Sequence, residues 1–187
     1  MKQYILPSLK LTVIMIVLCA VLYPLLIAGI GKMAPGKGNG EKLYAKGRVV
    51  GYEKIGQKFT DDKYFSGRPS GVDYNAAGSA GSNKGPSNPD YLKQVNDRID
   101  SFLVHNPSVQ KKEIPAEMVT ASGSGLDPDI SRSSALVQVK RIAASRKINE
   151  HKLVGLVEQH TDQPLAGILG PSKINVLKLN IALDELK

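Results

Sequence analysis

LTVIMIVLCAVLYPLLIAGI, residues 11–30, carries no charged side chain, and twelve of its twenty residues are Leu, Ile or Val. As a helix rising ~1.5 Å per residue it covers ~30 Å, the thickness of a bilayer's hydrocarbon core. Each of the twelve favours insertion by about 0.3–0.6 kcal/mol near the bilayer centre, ~4–7 kcal/mol together. Lys10 and Lys32 bracket the stretch, Tyr23 is an interfacial residue type, and Pro24 predicts a kink in the last turns. Three alternatives fit less well. A buried core helix would need a polar stripe or much flanking protein, and only nine residues precede Lys10. A cleaved signal peptide has a shorter apolar run of ~7–15 residues, although Gly29-Ile30-Gly31 loosely resembles a small-x-small cleavage site. A lipoprotein anchor at Cys19 would need a small residue before the cysteine, where Leu18 stands. The stretch therefore reads as a membrane-spanning helix after a short tail (1–10), with Cys19 an inert apolar side chain. As the single cysteine of the 187 residues, Cys19 excludes an intramolecular disulfide and a Cys-based metal cluster.

Beyond the span, residues 31–42 read as a flexible Gly-rich stalk and 43–187 as one α+β domain. The net charge of +8 becomes +6 without Lys2 and Lys10, and the charges read as scattered pairs on a solvated surface. No nucleic-acid motif with interleaved aromatics appears. Lysines lie on both sides of the span, so the charge rule for orientation is nearly balanced and leans only weakly to an outside domain. Arg48-Val49-Val50-Gly51-Tyr52 predicts a strand and a following turn. Residues 90–105 predict a helix with Leu92, Val95, Ile99, Phe102 and Leu103 on one face. Met118-Val119-Thr120 reads as a short strand. Ser131 predicts the cap of a helix running to about Arg146, and Asn149 the cap of another bearing Leu153, Leu156 and Val157. A short strand at Ile174–Val176 and a C-terminal helix close the chain.

No catalytic or metal-binding set is recognisable. Gly36-Lys37 is followed by Gly38, which excludes a Walker A loop, and Asp62-Lys63 by Tyr64, which excludes a P-type phosphorylation motif. His105, His151 and His160 lack metal-ligand spacing. Two constellations remain. In residues 66–89, 16 of 24 are Gly, Ser, Asn or Pro; the first constellation runs there from Tyr74-Asn75 to Pro89, and its candidates for a partner contact or a small-ligand site are Asn75, Ser82, Asn83, Ser87 and Asn88. In Thr120–Pro128 they are Ser122, Gly123, Ser124, Gly125 and Asp127. Both stretches can present backbone amides and hydroxyls to an anion, or bond to each other as turn-rich loops. Gly123 and Gly125 are expected to allow close backbone approach, and Asp127-Pro128 to fix a turn.

YFSGRPS (64–70), GSNKGPSNP (81–89), VTASGSGLDPDIS (119–131), QVKRIA (138–143) and INVLKLNIALD (174–184), in this order behind one N-terminal span, resemble the KdpC family, the C subunit of the Kdp potassium-transporting ATPase. Ala80, Lys84 and Asp129 depart from the family's pattern. The resemblance implies an accessory chain of a bacterial inner-membrane complex. It implies a channel-like potassium-binding subunit, a P-type ATPase subunit and a small single-span subunit as partners, and membrane lipid around the helix. It implies a non-catalytic role in assembly with the large domain extracytoplasmic. It also implies an alternative, a catalytic chaperone that binds ATP and raises the nucleotide affinity of the ATPase subunit. A domain outside the membrane cannot touch cytoplasmic ATP, so the assembly reading comes first.

Overall fold

A computed structural model describes residues 2–164 and 166–186. The chain divides into two compact units, Met1–Lys42 and Leu43–Lys187.

The first unit is helical. α1 (Lys2–Ile16) passes through a π-helical turn (Val17–Leu22) into α2 (Tyr23–Gly31). Pro24 explains the π turn. Its ring would collide with the carbonyl of Ala20 in a regular α-helix, and it offers no N–H. Widening the preceding turn, so that Tyr23 N–H donates to the carbonyl of Leu18, relieves the collision without breaking the rod. The expected disturbance at Pro24 is thus a change of winding one turn earlier. The apolar helix runs Gln3–Gly31, 29 residues, longer than the predicted 11–30, and is long and apolar enough to cross a membrane. None of its most apolar window is buried, which is inconsistent with a soluble core helix. The chain then makes a 3-10 turn at Pro35–Gly38.

The second unit is a mixed α/β domain with little sheet. β1 (Lys42–Ala45) and β2 (Arg48–Tyr52) form a hairpin whose two turn residues, Lys46 and Gly47, both have positive φ (49° and 75°). That is the turn whose twist matches paired strands. β1 lies partly in the stretch the sequence reads as stalk; its signal was the Lys-Gly pair between alternating side chains. α3 (Pro89–His105) starts where Asn88 accepts the Tyr91 amide at 3.0 Å and Pro89 presets the first turn. Of its predicted apolar face only Phe102 is buried, and Leu92 is exposed. β3 (Asp129–Ile130) pairs antiparallel with β4 (Ile174–Asn175). α4 (Arg132–Leu136), α5 (Val139–Arg146), α6 (Glu150–Gln159) and α7 (Val176–Glu185) pack around them. Phe65, Ile130, Ile142, Leu153, Leu179 and Leu183 lie at the centre of the core.

Two local expectations are overturned. Met118-Val119-Thr120 is no strand: Ala116–Met118 is a 3-10 turn, and Met118 and Val119 are buried by it, so tertiary packing overrides β-propensity. The single helix expected from Ser131 to Arg146 is two, α4 and α5. Between them the backbone tightens, Gln138 N–H donating to the Ala135 carbonyl three residues back. Gln138 is fully buried there and saturated. Its carbonyl oxygen accepts from the Ser66 amide (2.9 Å), the Ser66 hydroxyl (2.9 Å) and Arg141 Nη2 (2.7 Å). Its amide donates to the carbonyls of Ser66 and Ser134. A continuous helix would point this side chain elsewhere and leave those groups unpaired.

Candidate functional site

The two Gly/Ser/Asn stretches meet in space. Ser122 N–H donates to the Pro69 carbonyl (3.0 Å), Ser70 Oγ to the Gly125 carbonyl (2.7 Å) and Ser79 Oγ to the Ser124 carbonyl (2.9 Å). Arg68 Nη1 reaches Asp127 Oδ2 at 3.0 Å. Four links between loops without regular structure form one hydrogen-bonded slab, each worth ~0.5–1.5 kcal/mol net and more where a charge takes part.

Ser70 is the hub. While its hydroxyl donates across to Gly125, its oxygen accepts the amides of Val72 (3.1 Å) and Tyr74 (2.9 Å), closing a turn around Asp73 and Tyr74, both at positive φ (52° and 60°). Tyr74 OH donates to the Arg68 carbonyl at 2.5 Å, fastening the turn to the arginine that holds Asp127. Burial pushes the Tyr74 phenol up to about 12, with the charge of Asp127 acting the same way and Arg68 opposing it. Arg68 Nε is buried without a hydrogen-bond partner.

The sequence-predicted residues divide between roles. Ser122 is buried at the contact, and Ser124 Oγ accepts the Leu126 amide. Asp127 Oδ1 accepts the Asp129 amide, the turn expected at Asp127-Pro128. Gly125 has φ 68°, and a Cβ there would stand 2.6 Å from Val72 Cγ2 and 2.7 Å from the Ala80 carbonyl oxygen. Gly123 differs from expectation: a Cβ on it would meet nothing within 4 Å. The close approach runs the other way, a Cβ on Gly81 falling 2.9 Å from the Gly123 carbonyl oxygen. Asn75 caps a short 3-10 turn by accepting the Ala77 amide, and Asn88 caps α3. Ser82 is half-buried, its backbone nitrogen 3.0 Å from where a Gly71 Cβ would be. Asn83, at φ 51°, and Ser87 are exposed on the arm leading to α3.

Sequence reasoning gave no role to Arg68, Ser70, Tyr74 or Ser79, the side chains that lock the slab, although Arg68 and Ser70 lie in a quoted block and Tyr74 opens the first constellation. Nor did it find a second polar cluster beside a cavity of about 250 Å³ lined by residues including Phe59, Asp62, Arg98, Phe102, His105 and Arg141. Arg141 Nε donates to Asn106 Oδ1 (3.0 Å) and Nη1 to the Asp62 carbonyl (2.5 Å), and His105 Nδ1 stands 2.8 Å from Asp62 Oδ1. Burial lowers the Arg141 pKa, with Asp62 and Asp61 opposing. None of the ten predicted residues lines this cavity. Among the described residues no group of three His, Cys, Asp or Glu side chains is placed to hold a metal ion.

An apolar helix long enough to cross a membrane, followed by a compact mixed α/β domain whose distinctive loops bind one another, fits a single-pass membrane protein. Comparison with known proteins identifies its family. Residues 5–185 match the family model of KdpC, "K+-transporting ATPase, c chain". A protein of Flavobacterium psychrophilum named potassium-transporting ATPase KdpC subunit is 60% identical over 179 residues, 96% of each chain. One of the same name from Flavobacterium johnsoniae is 59% identical over 179 residues, again 96% of each. A third, from Bacteroides fragilis, is 52% identical over 186 residues, 98% of this chain and 97% of that one. The chain belongs to the KdpC family and is an accessory subunit of a K+-transporting ATPase complex.

Proposed function

We propose that this chain is a non-catalytic assembly subunit that stabilises the potassium-import complex by bridging its channel-like and ATPase subunits, assisted by the small single-span one. The helix Gln3–Gly31 packs among partner helices in the inner membrane, and the domain from Leu43 onward stands on the extracytoplasmic side, next to the potassium entrance. The slab made by residues 68–81 and 122–127 is the rigid contact surface.

The observation that carries this reading is the set of four bonds that tie the two loops to each other, together with the local bonds that close their turns. A loop built to wrap a nucleotide keeps backbone amides and hydroxyls directed at the phosphates. Here the amides of Val72, Tyr74, Ser122, Leu126 and Asp129 and the hydroxyls of Ser70 and Ser79 are already engaged inside the protein. Such preorganisation suits a surface that meets another protein without ordering cost. The rival role, raising the nucleotide affinity of the ATPase subunit, would require the slab to open around ATP.

The test is purification of the pump from cells that lack this chain or carry Gly81→Val, which forces the Gly123 carbonyl away. The expected result is loss of a stable, potassium-transporting complex without the chain, and partial loss with Gly81→Val at unchanged nucleotide KM of what remains. A fully active complex lacking the chain refutes the assembly role. An intact complex whose ATP KM rises selectively in the variant favours the nucleotide role.

A further inference from the structure

The positive charge of the domain side is concentrated, not scattered. Residues 32–58 hold seven Lys/Arg against two Glu, a net of +5, whereas 59–187 hold sixteen against fifteen acidic residues, a net of +1. The β1–β2 hairpin lies at the middle of the basic stretch, and ten residues (32–41) separate its first residue, Lys42, from the last helical residue, Gly31. Lys42, Lys46 and Arg48 are all exposed and, among the described residues, form no salt bridge. Of the neighbouring acids, Glu53 is held by Lys178 at 2.6 Å and Asp184 by Arg146 at 2.6 Å, while Glu185 shares with Asp184 a recess lined by Lys46 and Arg48; Lys58 is neutralised by Asp73 at 2.7 Å. On the same hairpin Tyr44 is 60% exposed, Val49 48% and Tyr52 40%. The turn Lys46-Gly47 fixes one cation at the tip.

Unpaired cations interleaved with exposed tyrosines are the side chains that settle at lipid headgroups, the ammonium and guanidinium groups on phosphate and the phenol rings at the glycerol level. A protein recess would account for Tyr44 and Val49 but leave Lys42 and Lys46 to be matched. An anionic bilayer surface matches both features, and the hairpin follows directly on a segment able to cross that bilayer. We propose that the face of the β1–β2 hairpin carrying Lys42, Tyr44 and Val49 is an anionic-lipid-binding surface, with Lys42 and the turn residue Lys46 on the phosphates and Tyr44 in the interface; strand alternation puts Arg48 and Tyr52 on the other face. Lipid contact here fixes the domain's height and orientation at the membrane. It requires the anchor but neither the assembly role nor a particular leaflet.

The chain has no Trp, so Tyr44→Trp introduces a single indole, excited selectively at the red edge of the tyrosine absorption. The full-length variant is reconstituted in vesicles of phosphatidylcholine alone and of phosphatidylcholine with phosphatidylglycerol, with and without shallow spin-labelled lipid. Val104→Trp, at an exposed α3 position, is the control, and Val49→Trp, cross-strand from Tyr44 on the same face, is a second reporter should the first disturb the hairpin. The expected result is a blue-shifted, lipid-quenched indole at position 44 with phosphatidylglycerol, reversed by high salt, and a water-exposed indole at 104 throughout. Each cation removed (Lys42→Gln, Lys46→Asn) weakens the bound state about fivefold, from ~1 kcal/mol per basic residue; the asparagine keeps the turn by making an Asn-Gly pair. Emission from both hairpin reporters that ignores lipid charge overturns the proposal. So does a shift that appears only when the other pump chains are co-reconstituted, which would assign the surface to a partner protein.

Discussion

Gly123 and Gly125 stand two residues apart in one loop, yet only one of them has to be glycine. Gly125 combines a left-handed φ of 68° with a Cβ site inside Val72 and the Ala80 carbonyl; Gly123 has open space. Gly125→Ala is therefore expected to lose about 2–5 kcal/mol, ~1–2 from the left-handed backbone and ~1–3 from overpacking, whereas Gly123→Ala stays within about 0.5 kcal/mol. Urea unfolding of the full chain in detergent measures both, and equal losses would contradict the geometry. Tyr74 makes a pH prediction. Its phenol is raised above 10.0 to about 12 in the folded protein, chiefly by burial, so folding favours the neutral form. The resulting stabilisation is complete below the unfolded value near 10 and is lost as pH rises through about 12. Tyr74→Phe removes this component of the alkaline decline and costs about 1 kcal/mol at neutral pH through the lost bond to the Arg68 carbonyl. An alkaline limb identical in both proteins would show that the phenol is not held neutral by the fold.

At the scale of elements, the joint between α4 and α5 makes the strongest demand on one side chain. Gln138→Leu keeps the approximate volume but leaves the Ser66 amide, the Ser66 hydroxyl and Arg141 Nη2 short of their shared acceptor. At ~1–3 kcal/mol per unsatisfied buried group the variant should lose at least about 3 kcal/mol, and thermal unfolding checks this; a loss under about 1 kcal/mol would show that water takes the place of the amide. This joint also marks where the sequence stops being readable. Caps are local, and Asn88, Ser131, Asn149 and Asn175 each accept an amide two or three residues on; the starts at Ser131 and Asn149 were legible as caps and that of α3 from Pro89 and Asp90, whereas Asn175 read as part of a strand running to Val176, where α7 begins. The break at Gln138 is set by Ser66, 72 residues away, and no periodicity reports it. β1 hid in a Gly- and Lys-rich stretch whose composition reads as linker. The ten candidate residues were chosen for their chemistry, and chemistry does not say which way a glycine faces. The locking groups Ser70, Tyr74 and Ser79 take their importance from partners about 45 to 55 residues off or from the turn that Ser70 closes.

The whole molecule is a greasy helix and a domain of different physics. The helix has no polar face to bury and suits lipid; the domain keeps its loops rigid through internal hydrogen bonds and holds nearly balanced charge except in the segment next to the helix. Membership of the KdpC family supplies the complex in which both halves act. Which side of the membrane the domain occupies then decides between holding partners together and attending to nucleotide, because ATP is cytoplasmic. Cys19 is the single cysteine, so Cys19→Ser with Val104→Cys, a position 78% exposed on α3, gives one reporter thiol. In intact cells producing the whole complex, a membrane-impermeant maleimide should label that thiol without permeabilisation. Protection until the inner membrane is opened would place the domain in the cytoplasm and contradict the account.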